Sequence, residues 1–350
     1  MWYNYSMNFS LEDAGNGSDS VVYLCPETFN FSTLSGAFFI LIFIFSLMCN
    51  ALLLFVLVIY ENLKNVTNLF ILNLACSDLI FTLMLPFWAV YHLHHWIFGD
   101  FACKFKIAAY YTSLYSSVIL LTAMTVDRFI TVVLYNSANN PARRRRRQRC
   151  AVVSCAAAWI ISIAASISEA MEVEVVPHWN GDLMCETASN STSVNMGYYL
   201  QVSLLFFLPF AIIVFCYSAI LRTVLQASNR KRYRTVVVVL CIVIAFFICW
   251  GPYHILFFIY SFYQPKGCVE SDRFYIAYSI CRIFAYSHCC MNPLLYMLSQ
   301  KLRRHLMQLL HCNKDTKNNM EQSNGYSTSA IHNVAFTAQS SAVMLDLPSK

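Results

Sequence analysis

Charge is scarce in this chain. Of its 350 residues only 12% are Asp, Glu, Lys or Arg, while 58% are hydrophobic. A soluble domain carries about 25% charged residues, so the composition falls outside the soluble class. Lys and Arg are missing altogether from 1–33, 94–102 and 171–195. Residues 1–33 also lack the short apolar core of a cleavable signal peptide, so the first long apolar stretch is expected to act as its own signal. No internal repeat is present, and low complexity is confined to the arginine run 143–147. The chain has no paired broken helices in corresponding halves, as a transporter would. His92, His94 and His95 have no metal-binding spacing near a carboxylate. No catalytic constellation is visible, so the chain is not expected to be an enzyme and no cofactor is implied.

What the chain does have is long apolar runs. Seven of them cover roughly 34–60, 66–90, 107–126, 150–168, 196–221, 235–263 and 274–298. Each reaches or approaches the ~20 residues that cross a hydrocarbon core as a helix. Backbone polar groups in lipid must be satisfied within the element, so runs of this length must be helices. The expected fold is therefore an all-α membrane protein, a bundle of seven transmembrane helices over 34–298.

The loops set the expected orientation. Lys64, Arg143 to Arg147, Arg149, Arg222, Arg230, Lys231, Arg232, Arg234 and the tail residues Lys301, Arg303 and Arg304 all fall on one side. Positive charge marks the cytoplasmic face, which places the N-terminus outside and the C-terminus inside. The net charge of +6 is segregated by side. It therefore points to topology and contact with anionic membrane lipids, with no nucleic-acid partner. Residues 1–33 form an acidic outer segment expected to be mobile. Residues 299–312 follow the bundle, and within them 301–310 carries Leu302, Leu306, Leu309 and Leu310 on one side, as an interfacial amphipathic helix does. Residues 313–350 have the composition of a disordered cytoplasmic tail.

Fifteen cysteines divide by compartment. Ten belong to the apolar runs or their ends, where they act as small buried side chains. Cys25, Cys103, Cys185 and Cys268 face the oxidising side, and four cysteines allow three connectivities. A Cys103–Cys185 bridge would pin the loop after the fourth helix over the bundle mouth, and Cys25 with Cys268 would then tie the N-terminal segment to the last outer loop. Cys312, beside the basic segment, is either a palmitoylation site or a free cytosolic thiol. Asn4, Asn8, Asn16, Asn30 and Asn190 head glycosylation tripeptides on the outer side, whereas Asn65 matches on the inner side and is expected to stay bare.

Polar groups inside a membrane are costly unless paired, and they mark function. Asp78 lies mid-helix, with Asn50, Ser117 and Asn292 as partners. The group is either a Na⁺ or proton site or a structural hydrogen-bond knot. Asp127 and Arg128 close the third helix. An arginine cannot give up its proton, so the pair is either a switch, locked at rest and released to an intracellular protein, or a charge cap. Pro86, Pro209, Pro252 and Pro293 each interrupt an apolar run and free a carbonyl, creating hinges.

Asn50, Leu74-Ala-Cys-Ser-Asp78, Asp127-Arg128-Phe129, Trp159, Pro209 with Tyr217, Cys249-Trp-Gly-Pro252 and Asn292-Pro-Leu-Leu-Tyr296 fall one to a helix in order. On these residues the chain resembles rhodopsin-type G-protein-coupled receptors over about 25–312. Leu85-Pro-Phe-Trp88, Trp96-Ile-Phe-Gly-Asp100, Phe246 to Tyr253 and Ser287 to Pro293 are similar to chemokine receptors, and the Cys25/Cys268 pair fits the same family. Arg282 stands where most of that family has Glu, Met84 where most have Thr, Phe129 where most have Tyr, and His288 where the superfamily commonly has Asn. Arg282 most resembles the XC-type (lymphotactin) receptors. The resemblance implies a chemokine ligand, a heterotrimeric G protein of the Gi kind, receptor kinases acting on tail serines, and arrestin. It also implies that Trp88, Tyr110, Tyr253 and Arg282 line the ligand pocket, with Arg282 paired to an acid such as Glu169 at rest. Tyr217, Trp250, Pro252, Pro293 and Tyr296 are expected switch positions.

Charge gives an independent reading of the ligand. Glu12, Asp13, Asp19 and Glu27 before the first helix, and Glu172, Glu174, Asp182 and Glu186 after the fourth, make an acidic mouth that steers a cationic partner. Tyr3, Tyr5 and Tyr23 are sulfation candidates that would deepen this field. A scavenger that takes up chemokine without signalling, or a receptor for another peptide, are the alternatives.

Overall fold

The computed structural model describes residues 6–8, 22–24, 31–134, 141–177, 181–187, 206–226, 230–262 and 268–297. Helices α1 (Phe31–Tyr60), α2 (Val66–Leu93), α3 (Gly99–Phe129), α4 (Pro141–Met171), α5 (Leu208–Gln226), α6 (Arg230–Phe262), α7 (Cys268–Tyr286) and α8 (His288–Met297) carry almost all of them. A π-turn, Ile130–Leu134, prolongs α3. Two hairpins complete the described residues: β1 (Ser6–Asn8) with β2 (Val22–Leu24), and β3 (Val173–Pro177) with β4 (Leu183–Thr187), both antiparallel.

Among the described residues, α1, α2, α4 and α3 with its continuation to Leu134 are each long and apolar enough to cross a membrane. α5 and α6 contribute the shorter apolar stretches Leu208–Thr223 and Leu240–Leu256. The bundle is polar inside and apolar outside. Leu41, Val153, Ile160 and Phe215 are more than 60% exposed on its surface, while Ser46, Asn50, Ser77, Asp78, Thr82, Ser113 and Ser117 are fully buried. That inversion of the soluble pattern is stable only where lipid covers the surface, because lipid removes the hydrophobic drive to bury leucine.

Small polar side chains let the helices approach closely. Ser77 Oγ on α2 donates to the Ser113 carbonyl of α3 at 2.8 Å, and Ser113 Oγ returns the bond to the Ser77 carbonyl at 2.8 Å. Thr112 Oγ1 meets Ser166 Oγ at 2.7 Å between α3 and α4, and Trp159 Nε1 donates to Asn73 Oδ1 at 2.9 Å between α4 and α2. At Gly36 a β-carbon would lie 2.8 Å from Leu93 Cγ and 3.1 Å from the Ala89 carbonyl oxygen, so the α1–α2 approach requires glycine there. α3 is the central strut, packed against α2, α4, α5 and α6.

Several sequence expectations are corrected. The arginine run lies on a helix, since α4 opens at Pro141 rather than near 150. Proline is favoured at a first helical position and arginine is a good helix former. α3 does not stop at Asp127 and Arg128 but continues through the π-turn. The seventh run is two helices, broken at Ser287. Ser287 N–H still bonds to the Ile283 carbonyl at 3.0 Å, while Cys290 N–H takes the Ser287 carbonyl at 3.0 Å, a tightened turn. Pro293 in α8 cannot donate to the carbonyl four residues back, that of Cys289. Asn50 Nδ2 of α1 supplies the missing bond at 2.9 Å. Within residues 1–33, β1 and β2 pair and α1 begins at Phe31. Asn65 is the N-cap of α2, with Oδ1 accepting from Thr67 N–H at 3.2 Å.

Candidate functional site: buried cations at both ends of the bundle

One end of the bundle is roofed by the β3–β4 hairpin. Cys185 of β4 is bridged to Cys103 in the first turns of α3. The Trp96 N–H donates to the Leu183 carbonyl at 2.8 Å, and Trp96 Nε1 donates to the Gly99 carbonyl at 2.9 Å. Gly99, at φ +77°, turns the chain into α3. Val173, Met184, Cys185, Cys103, Tyr91 and Trp96 form one buried cluster that seats the hairpin on the helices. Cys268 is also disulfide-bonded. Cys25, its anticipated partner, lies outside the described residues. Within the hairpin Glu174 and Glu186 are cross-strand partners. Glu172, Glu174 and Asp182 are exposed, and Glu186 is half-buried.

Below the hairpin, the predicted pocket residues come together as an aromatic cluster. Trp88 and Tyr110 have ring centroids 6.3 Å apart, Tyr110 and Trp250 6.4 Å, and Trp250 and Tyr253 5.7 Å. Tyr253 Oη meets Tyr278 Oη at 3.0 Å. Phe81, Tyr286 and His288 join these rings, with Phe81 5.2 Å from Tyr286 and Trp250 5.2 Å from His288. Trp250 is 0% exposed at the floor of the cluster.

Arg282 projects among these rings, 5% exposed, with its guanidinium 5.4 Å over Tyr278 and 5.7 Å from Phe39. Its Nε and Nη2 have no hydrogen-bond partner. The Glu169 pairing is not formed, because that carboxylate bonds to Tyr115 instead. A residue that sequence reasoning missed shares the space. Lys106 is 0% exposed, its Nζ 4.1 Å from the Trp88 ring, 4.5 Å from Trp96 and 5.1 Å from Tyr91, with no hydrogen bond. Lys106 and Arg282 act electrostatically on each other and on His92. Desolvating an ion costs several kcal/mol, and a cation–π contact returns about 2 kcal/mol when dry. The rings offset much of that cost but supply no negative charge and no hydrogen-bond acceptor for the free nitrogens. The signal for Lys106 was available in spacing: it stands three residues after Cys103, and such pairs share a helix face.

At mid-bundle Asp78 Oδ2 accepts from Asn292 Nδ2 at 2.7 Å. The other two expected partners are engaged elsewhere. Ser117 Oγ lies 2.9 Å from Ser77 Oγ, and Asn50 serves Cys289 and Ser46. His288 Nε2 stands 3.7 Å from Asp78 Oδ1, outside hydrogen-bond reach. A sodium ion requires several converging oxygens. Here a ring nitrogen faces the second carboxylate oxygen and the serine points away, so these residues do not fit that ion. Among the described residues no group of three His, Cys, Asp or Glu could hold a metal.

At the opposite end, Asp127 accepts two bonds from Arg147, Nε to Oδ1 and Nη2 to Oδ2, both at 2.6 Å. The bidentate fork is the strong arginine–carboxylate geometry. Arg147 reaches it because the arginine run is helical. Arg128 is left with Nε and Nη2 buried and without a hydrogen bond, close to Tyr217 and Tyr296. Tyr296 Oη is likewise buried and unbonded. The Asp127–Arg128 lock is therefore replaced by an Asp127–Arg147 latch. Pro252 is exposed on α6 and Pro293 buried in α8. Asp19, Glu27, Asn4, Asn16, Asn30, Asn190, Cys312, the 299–312 helix and the 313–350 tail lie outside the described residues, as do the side chains of β1, including Asn8.

Residues 49–296 match the 7 transmembrane receptor (rhodopsin family). The chain is 39% identical over 285 residues to human chemokine XC receptor 1, covering 80% of this chain and 82% of that one. It is 38% identical over 294 residues to the mouse chemokine XC receptor 1, covering 83% and 88%. Human C-C chemokine receptor type 8 is 32% identical over 289 residues, covering 80% and 79%. The chain is thus a seven-transmembrane receptor of the rhodopsin family, a class of receptors rather than enzymes. Within that family it belongs with the chemokine receptors.

Proposed function

We propose that this chain is a cell-surface chemokine receptor with its N-terminus outside and its C-terminus inside, and that binding of a small basic chemokine activates a heterotrimeric G protein of the Gi kind. The observation that carries the reading is the disulfide-anchored hairpin, which holds the acidic pair Glu174 and Glu186 over an aromatic pocket. A negative rim raises the encounter rate of a basic partner, and the pocket beneath can receive that partner's N-terminal segment. The likeness to the XC receptors favours an XC-type ligand. Rearrangement around Trp250 and the Pro252 and Pro293 hinges would carry the signal to Arg128, whose uncommitted guanidinium can take acceptors from the G protein. Membrane lipids contact the basic inner loops, and kinases and arrestin act on the tail.

Scavenging without signalling is the second reading. It is favoured by Phe129 in place of the usual tyrosine and by the commitment of Asp127 to Arg147. The experiment is Gi activation and ligand uptake in cells expressing the full chain, challenged with a chemokine panel that includes XC types, beside Arg128→Ala. The expected result is a ligand-specific Gi response that the variant loses while still reaching the surface. Uptake with no Gi response assigns the scavenger role. Silence in both at normal surface levels places the ligand outside the chemokines.

A further inference from the structure

We propose that Lys106 and Arg282 together form a carboxylate-binding subsite, so that the ligand is a basic protein whose penetrating segment carries an acidic side chain. This rests on the receptor reading above and names the chemistry at its deepest contact.

Three observations converge. Both cations are more than nine-tenths buried, and each has nitrogen atoms without a hydrogen bond. Among the described residues neither forms an ion pair with a carboxylate. They come from different helices, α3 and α7, yet lie near enough to act on each other electrostatically. Two like charges held together in a dry aromatic enclosure are a standing repulsion that one anion relieves twice over. The planar guanidinium suits a two-oxygen acceptor and the ammonium adds a third donor, so a carboxylate matches the pair better than a neutral amide.

Among the described residues, the exposed acids of the same end do not serve this role from where they stand. Glu172, Glu174 and Asp182 are exposed on and around the hairpin. The receptor therefore presents negative charge at its rim and positive charge at depth. A partner complementary to both is basic in its body and acidic at its tip.

The test is a double-mutant cycle on the full chain in cells, with a purified XC-type chemokine as the probe. Each carboxylate of the probe's N-terminal segment is replaced in turn by its amide, and affinity is read by displacement together with surface level. On the unaltered receptor one such replacement should weaken binding by about 10- to 100-fold. On Lys106→Met/Arg282→Met the same replacement should change affinity by less than about twofold. Lys106→Arg, which keeps the charge, should retain the sensitivity. If the double variant fails to reach the surface, the amide series on the unaltered receptor and on Lys106→Arg still decides the matter. Amides that all bind alike, or losses identical in the double variant, would overturn the subsite while leaving the receptor reading intact. Coupling of Lys106 and Arg282 to the chain's own Glu27 or Asp19, measured with Glu27→Gln and Asp19→Asn, would overturn the ligand assignment. Failure of every chemokine to bind would sink the receptor reading and the subsite with it.

Discussion

The two ends of this bundle each hold an arginine with buried, unbonded nitrogens and, among the described residues, no carboxylate partner, but for opposite reasons. At the hairpin end Arg282 pairs with no acid among the described residues, and Lys106 beside it deepens the deficit. At the other end Arg128 has an acid one residue away, yet Asp127 is held by Arg147. The first is a deficit of negative charge among the described residues, which an entering anion would meet. The second is a matter of which arginine the acid chooses, and a small change of helix position could reverse it. A polar layer separates the two: Asp78 with Asn292, and the serines joining α2 to α3.

The largest effect is expected at the hairpin. Cys103→Ser removes the bridge that seats it, and loss of a native disulfide costs about 2–5 kcal/mol. Ligand binding and thermal stability of the purified receptor should both collapse. Binding that survived would mean the hairpin is seated by Trp96 and its neighbours alone.

In the polar layer, Asn292→Ala leaves Asp78 Oδ2 without its donor. An unsatisfied buried acceptor costs about 1–3 kcal/mol, so the melting midpoint should fall while surface topology persists. No fall would mean that another donor, with His288 the nearest, can swing in.

At the arginine end, Arg147→Met frees Asp127 to pair with Arg128. The existing pair is partly exposed, with side chains 34% and 13% accessible. Its worth is therefore about 1 kcal/mol at most, or roughly fivefold in a coupling equilibrium. G-protein activation should drop by up to that factor with ligand affinity unchanged. Asp127→Asn, which frees Arg128 from both, should not lower it. An equal drop in both variants would reject the latch.

The smallest effect belongs to the rim. Glu174→Gln removes a like-charge cross-strand pair worth about 0.2–1 kcal/mol, so the hairpin should gain slightly in stability. A basic ligand should associate more slowly by a few-fold at low salt, and the difference should vanish as salt screens the field. Unchanged on-rates would mean the steering charge lies elsewhere, in residues 1–30.

Much was legible in the chain itself. Apolar length and the absence of charge within each run specify helices in lipid, because the backbone there has no other partner. The motif residues Asp78, Arg128, Trp250 and Tyr296 could be located by order along the chain, and Cys103 and Cys185 as one of three connectivities. Less could be read where position depends on helix phase. Ser117 was matched to Asp78 on shared polarity, but its rotation on α3 aims it at Ser77. The break at Ser287 carries no proline or glycine of its own to announce it.

That this protein is a membrane bundle of receptor type follows from its residues alone, since hydrophobic length, charge segregation and one-per-helix motifs are properties of single segments. Only the tertiary structure decided which ions are paired. An ion pair is set by distances between side chains on different helices, and those depend on helix rotation and on where each helix starts. Arg147 meets Asp127 because α4 begins at Pro141. Lys106 and Arg282 act on each other because α3 and α7 both contribute to the aromatic cluster, with Tyr110 and Tyr286 5.8 Å apart.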